Sequence, residues 1–274
     1  MNHKQSSMSG KVLENRLLIA EHFLITIAVS GLLQPPEPGQ FVMLRLKGRI
    51  DPLLGRPFSV YSYDRQGDHC QIQILYRVVG KGTRLMSELK SGAVLEITGP
   101  HGHTFDIDPR IENVVLIAGG IGVAPIAYLA SYYRKTMQNT QLNIVGYMGT
   151  KTADQLLGVE GFQEDCSCLN ISTDDGTAGS QEMVTERFAK EASSYRADRS
   201  IVYACGPSAM LQRLSEIIKE YPIPCQVLLE QRMACGIGAC LGCVVKVKSK
   251  EEMHPYVRVC TEGPVFNIRD IVWS

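Results

Sequence analysis

Apolar and polar positions change rhythm twice along the chain. In the first third, apolar residues come in short bursts between turns. Residues 23–29 are β-branched or apolar and stop at Ser30-Gly31. Over 70–79, Gln71 and Gln73 alternate with Ile72 and Ile74, the two-residue period of a half-buried strand. Residues 41–46, 58–63 and 94–98 read as further strands, with hard turns at 35–39 and 99–102 and a short helix over 83–89. Many short strands between Gly/Pro turns predict a small antiparallel β-barrel over 11–108.

From residue 109 the period lengthens. Apolar runs at 113–119, 142–148, 169–173 and 200–205 alternate with helical stretches reaching about residue 135, over 183–191 and over 208–221. This alternation predicts a parallel sheet over 109–228, with ligands at the C-terminal ends of its strands. The remainder, 229–274, offers strands at 244–247 and 256–259 around a charged hairpin tip at 248–252. So small a piece needs a metal to fold. The expected architecture is a β-barrel plus an α/β domain, with a small C-terminal segment.

Composition narrows the function classes. The 274 residues carry 28 basic and 28 acidic side chains, so nothing electrostatic points to nucleic acid or a membrane surface. The apolar stretch 17–33 is short for a span and is interrupted by Glu21, His22, Thr26 and Ser30. Residues 1–10 read as a frayed polar leader without an export signal. Nine cysteines then read as reduced thiols in a cytoplasmic protein.

Four of those thiols carry the chemistry. Cys235, Cys240 and Cys243 form C-x4-C-x2-C, with Cys260 sixteen intervening residues later, the spacing of a plant-type [2Fe–2S] site. Two bridged irons need four thiolates on a tightly curved loop, and Gly236, Gly238 and Gly242 allow that curvature. The amides so exposed can donate to cluster sulfurs. Zinc is the alternative, but its ligands usually come as two close pairs. Such a centre moves one electron, so the rest of the chain must supply a source and a sink.

Two motifs in the barrel suit a flavin. Arg56-Pro57-Phe58-Ser59 opens a strand, offering a cation and a hydroxyl; Gly80-Lys81-Gly82-Thr83 opens a helix whose bare amides suit phosphate. Either alone reads as an ordinary turn or cap. In the second domain, Gly119-Gly120-Ile121-Gly122 follows a strand, and Pro125 stands where a third dinucleotide-binding glycine would be. Proline suits a first helical turn. Cys205-Gly206-Pro207 ends another strand; it suits a nicotinamide site or simply a buried cysteine before a turn. Lys151 could favour a 2′-phosphate, although a solvent-facing loop lysine is the plainer reading.

Taken in order, R-P-x-S, G-x-G-T, G-G-x-G-x-x-P, C-G-P and C-G-I-G-A-C-L-G-C resemble the ferredoxin–NADP⁺ reductase superfamily. The short cysteine segment, with Glu230, Arg232-Met233-Ala234 and Gly263-Pro264-Val265-Phe266, resembles that of type B dihydroorotate dehydrogenase electron-transfer subunits. The resemblance implies FAD on Arg56, Pro57, Phe58, Ser59, Ile74, Leu75, Tyr76, Gly82 and Thr83. It implies NAD on Gly119, Gly120, Gly122, Pro125, Cys205, Gly206 and Pro207, and a [2Fe–2S] cluster on Cys235, Cys240, Cys243 and Cys260. It also implies an FMN-containing dihydroorotate dehydrogenase catalytic subunit as partner, in a heterotetramer of two plus two. Electrons would pass from FMN through the cluster and FAD to NAD⁺. Reductase subunits of a sulfide dehydrogenase, a bifurcating transhydrogenase or a hydrogenase share these motifs. A non-catalytic redox sensor would not need the flavin and nucleotide motifs.

Overall fold

The computed structural model describes residues 7–30, 34–66, 69–137, 142–248 and 255–273. Residues 1–6 of the expected leader, and the predicted hairpin tip beyond Lys248, lie outside them.

The first unit is an antiparallel half-barrel. Its elements are β1 (Met8–Ile19), β2 (His22–Ser30), β3 (Phe41–Leu46), β4 (Arg56–Ser59), β5 (Ser62–Gln66), β6 (His69–Arg77), α1 (Lys81–Ser87) and β7 (Val94–His101). The strand order is β4-β3-β7-β1-β2-β6-β5. The alternation seen in 70–77 is realised: Ile72 and Ile74 point into the core with Ile25, Ile27 and Ile97.

Two expectations change here. The leader does not extend to residue 10, because β1 starts at Met8 and Gly10 pairs with both Val29 and Leu95. A Cβ on Gly10 would lie 2.4 Å from Ile97 Cδ1, so the strand passes there only as glycine. Of β1's first eight residues only Gly10 and Val12 are buried, which leaves too few apolar positions for the strand to be read locally. The strand expected over 58–63 breaks into β4 and β5, because Val60 turns into the barrel core.

The second unit contains β8 (Asn113–Gly119), α2 (Val123–Thr136), β9 (Asn143–Thr150), α3 (Val159–Asp165), β10 (Cys168–Thr173), β11 (Ser180–Gln181), α4 (Val184–Ala189), β12 (Ser200–Cys205), α5 (Ser208–Glu220) and β13 (Cys225–Leu228). Strands β11-β10-β9-β8-β12-β13 run parallel. Helices cover both faces, which is why these strands read as unbroken apolar runs. Val115, Ile117, Val202 and Ala204 belong to the same core as α4 and α5. Val114, Leu116, Ala118 and Tyr203 share a core with α2 and Phe162 of α3. With Phe162 as its one buried side chain, the seven-residue α3 leaves no stripe to detect in the sequence.

The C-terminal segment supplies β14 (Val244–Lys246), β15 (Tyr256–Arg258) and β16 (Val265–Asn267). It is not a free-standing module. β16 pairs antiparallel with β13 and so extends the second sheet. Arg269 donates to the carbonyls of Ile218, Tyr221 and Ile223 at 3.0, 2.6 and 3.0 Å, closing the C-terminal end of α5. On the half-barrel side, the His103 amide donates to Gly263 O at 2.6 Å.

Candidate cofactor cleft and cysteine loop

A cleft of about 790 Å³ opens where the three parts meet, within the size range of small-molecule sites. The half-barrel lines it with Arg56–Ser59, Leu75–Arg77, Val79 and Thr83; the second unit with Ile121, Ala124, Pro125 and Ser208; the C-terminal segment with 228–233 and Pro264.

Arg56 and Arg77 are cations of the half-barrel wall, and Arg56 is the one set against α1. Its Nη1 donates to Leu54 O, and its guanidinium lies against Gly82. A Cβ on Gly82 would come within 2.3 Å of Arg56 Nε, so glycine is what lets the cation reach the first turn of α1. Thr83 serves that turn internally. Its hydroxyl accepts from the Val79 and Gly80 amides at 2.9 and 3.2 Å and donates to Gly80 O at 3.1 Å. Thr83 nonetheless lines the cleft, with its hydroxyl committed to shaping the turn.

Leu75 and Tyr76 line the cleft, whereas Ile74 is fully buried inside the barrel, so its side chain cannot reach a ligand. The two-residue period separates Ile74 from Leu75; Tyr76 shares the inward face of Ile74 and meets the cleft only where the strand ends. Tyr76 is held between Phe23, stacked at 5.5 Å, and Phe58, edge-on at 6.0 Å, and its hydroxyl hydrogen-bonds Asn15 Oδ1 at 3.1 Å. Burial pushes the Tyr76 hydroxyl up to about 12, so it stays a neutral donor.

The two glycine-bearing turns of the second unit are packed on each other. After Gly119 the chain makes a single 3₁₀ turn, Gly120–Gly122, and Pro125 falls in the first turn of α2. Gly120 has φ 53°, in the left-handed region. A Cβ on Gly122 would meet Cys205 O at 2.3 Å, and one on Gly206 would come within 3.1 Å of Gly119 Cα. Two motifs over eighty residues apart thus form one floor. Cys205 is fully buried, and burial pushes its thiol well above the ordinary range. Its side chain is a neutral part of the core, as a buried cysteine before a turn would be; Ile121, Ala124, Pro125 and Ser208 are side chains of this unit that line the cleft.

The cysteine loop begins two residues after Met233 of the cleft. Gly236 and Gly238 have φ 69° and 80°, and Leu241 also takes positive φ, at 57°. Backbone amides point at the sulfurs: Ile237 N to Cys235 at 3.5 Å, Gly242 N to Cys240 at 3.5 Å, Gly238 N to Cys260 at 3.2 Å and Cys260 N to Cys243 at 3.4 Å. Burial pushes the Cys235 thiol up, but amides of Ile237, Cys240 and Ala239 outweigh it and bring the group down to about 7. Such a thiol is readied as a thiolate ligand. Cys243 and Cys260 are buried, in one apolar cluster with Phe41 and Met43 of β3, while Cys240 is exposed. Four thiols with amide donors on a left-handed loop suit an iron–sulfur cluster.

Comparison with known proteins agrees with this division of labour. A family model described as the iron–sulfur cluster binding domain of dihydroorotate dehydrogenase B matches residues 230–272. Those of the oxidoreductase NAD-binding and FAD-binding domains match 116–216 and 24–105. The dihydroorotate dehydrogenase B (NAD(+)) electron transfer subunit of Caldanaerobacter subterraneus is 38% identical over 266 residues, covering 97% of this chain and 98% of the relative. The chain belongs to this family of electron transfer subunits. The corresponding subunit of Clostridium acetobutylicum is also 38% identical, covering 96% of each chain. Among solved structures, the NADH-dependent reduced ferredoxin-NADP oxidoreductase studied for flavin-based electron bifurcation has a TM-score of 0.82 at 27% identity, covering 96% of this chain and 90% of that one. Ferredoxin-NADP+ reductase from Plasmodium falciparum, at 16% identity and a TM-score of 0.61, shares the fold.

Membership of the family brings attention to cleft residues that the motifs did not single out. Arg77, Val79 and Ser208 each sit just beyond a recognised motif and line the cleft. Glu230 opens onto the same cleft, yet dense surrounding protein raises its carboxyl above the ordinary value. In the sequence it enters only as part of the resemblance of the cysteine segment, with no role of its own. No helix among the described residues is long and apolar enough to cross a membrane.

Proposed function

We propose that the four cysteines hold a [2Fe–2S] cluster, that the cleft holds FAD with the nicotinamide of NAD beside it, and that the chain serves an FMN-containing catalytic subunit that oxidises dihydroorotate. One observation carries the reading: the cleft and the cysteine loop are continuous, with Met233 in the first and Cys235 starting the second. A bound flavin supplies the exchange between a nicotinamide's hydride and a cluster's single electron.

The chain's own residues do the placing. Arg56 puts positive charge against the first turn of α1, where a pyrophosphate is favoured. Ser59 offers a hydroxyl along the wall, and Phe58 and the ring of Tyr76, whose hydroxyl is held by Asn15, keep that wall apolar. The floor of Gly119–Gly122 and Cys205–Pro207 lets a dinucleotide approach the backbone closely. Among the described residues, no three His, Cys, Asp or Glu side chains converge as ligands of one ion would.

The loop end of the cluster faces outward. Ile237, Leu241, Val244 and Tyr256 of the cysteine segment are exposed, as is Cys240, an apolar surface suited to the catalytic subunit. The heterotetramer of two plus two belongs to this reading. So does a cytoplasmic location, since none of the nine cysteines is paired in a disulfide.

The test is an anaerobic pull-down from native cells, with the eluate assayed for dihydroorotate-dependent NAD⁺ reduction. Activity with an FMN-containing partner is the expected result. A different flavoprotein partner and no dihydroorotate activity would favour a bifurcating reductase, the alternative to which the 0.82 structural likeness points.

A further inference from the structure

The cysteine loop and Cys260 are brought together from separate stretches of chain. Cys235, Cys240 and Cys243 precede β14, and Cys260 follows β15, whose pairing with β14 spans only three residues. Two backbone bonds bridge the stretches near Cys243: Val259 N to Cys243 O at 3.0 Å and Cys260 N to Cys243 Sγ at 3.4 Å. The far side of the loop, around Gly238, needs its own tie.

Arg258 supplies it. Its Nη1 donates to Gly238 O at 3.1 Å, while the amide of the same glycine donates to Cys260 Sγ at 3.2 Å. Gly238 is therefore held at both of its polar atoms, in a left-handed conformation that glycine favours. A Cβ there would lie 2.8 Å from Thr261 Cγ2 and 3.1 Å from Arg258 Nη1, so the loop is pressed onto the turn. The other edge of the guanidinium is anchored on Glu262. That carboxylate accepts from Arg258 Nε at 2.9 Å, from Nη2, and from the Arg258 amide at 2.7 Å; the Thr261 hydroxyl adds a bond at 3.0 Å. Such an arrangement uses the planar fork of arginine, which lysine's point charge does not reproduce. As a half-exposed ion pair alone it would add little stability. Its position between two cluster ligands gives it a different task.

We propose that Arg258, held by Glu262, is a positioning residue for the iron–sulfur cluster: it clamps the 235–243 loop to the Cys260 turn and fixes the Gly238 amide on the Cys260 sulfur. The proposal rests on the cluster reading above. Hydrogen bonds to the sulfurs, and charge beside them, set a cluster's potential. The guanidinium also lies close enough to Cys260 and Cys243 to interact with their charges. Loss of the clamp therefore acts on both retention and potential.

The experiment uses the FAD- and cluster-loaded chain with Arg258→Gln, Arg258→Lys and Glu262→Gln. Three quantities are read: the rate of cluster loss to a chelator, the EPR signal of the reduced cluster, and its midpoint potential in an equilibrium titration. Bound FAD and circular dichroism report folding. Arg258→Gln is expected to lose the cluster about tenfold faster or more, the usual effect of removing an outer partner of a metal site. Its potential should fall as the amide bond to Cys260 loosens. Arg258→Lys should fail in the same direction, because charge without the fork does not grip Gly238. Should Arg258→Gln not fold, Glu262→Gln keeps the guanidinium and carries the test through the rate of cluster loss alone, which should rise by a smaller factor, because removing a negative charge shifts the potential on its own account. Wild-type retention and potential in the folded variants would overturn the clamp. A wild-type chain with no cluster signal would instead sink the cluster reading, and the clamp with it.

Discussion

Gly122 faces the carbonyl of Cys205 so closely that a Cβ on it would lie 2.3 Å from that oxygen. The first glycine-rich turn of the second unit is therefore seated directly on the end of β12. Backbone atoms, not a movable side chain, fill the space. Gly122→Ala is expected to cost toward the upper end of about 1–3 kcal/mol, the range for overpacking. It should also weaken NADH binding by tilting the floor. Thermal denaturation and NADH titration measure the two effects; an alanine variant with wild-type values for both would contradict the packing described.

Arg56 and Gly82 form a comparable pair across the flavin side. Removing the cation in Arg56→Ala takes away a charge-assisted contact worth about 1.5–3 kcal/mol. FAD retention should fall by about tenfold or more. Ser59→Ala removes a neutral hydroxyl worth about 0.5–1.5 kcal/mol and should weaken retention by a smaller factor. Flavin content after gel filtration reads both. Unchanged content in Ser59→Ala would remove that hydroxyl from the site.

The half-barrel wall of the cleft and the cysteine loop belong to different stretches of chain, so they should fail separately. Cys240→Ser is expected to lose the iron signal and partner-linked turnover and to keep FAD, because Arg56–Ser59 and Tyr76 are set by the half-barrel. Iron analysis, visible absorbance and flavin content decide this. Equal loss of iron and flavin in a folded variant would mean that the cluster itself shapes the cleft.

Glu230 gives the cleft a pH dependence. The side chain is open to the cleft, yet the protein packed around it raises its carboxyl above the ordinary value, so the folded protein holds this proton somewhat more tightly than the unfolded chain. The stability from this group is complete below the unfolded value, about pH 4.3, and is lost as pH rises through the folded value. Glu230→Gln fixes a neutral group there. The variant should match wild type in acid and exceed it at neutral pH, measured as Tm across that range. A difference independent of pH would exclude titration of Glu230 as its source.

Much of this molecule was legible in its residue order where the signal is local. The spacing of Cys235, Cys240 and Cys243, and the glycines between them, announce a curved thiolate loop, and that loop is present with its amides on sulfur. The alternation at 71–74 announces a strand with one buried face. Unbroken apolar runs at β8 and β12 announce a sheet covered on both sides. Other elements had no such mark: β1 buries little at its start, and α3 buries one side chain.

What the residue order decided, then, was chemistry and period: which stretch could bind iron, which turns could take phosphate, and which segments would be strand or helix. Those properties depend on neighbours within a few positions, because backbone geometry repeats over two or 3.6 residues. Tertiary packing decided which motifs meet. It set Arg56 on Gly82, sealed Cys205 into the core, turned Ile74 away from the cleft that Tyr76 lines, and made β16 part of the second sheet. Each of those outcomes depends on close approach between residues distant in the chain, and steric fit of that kind has no local signature.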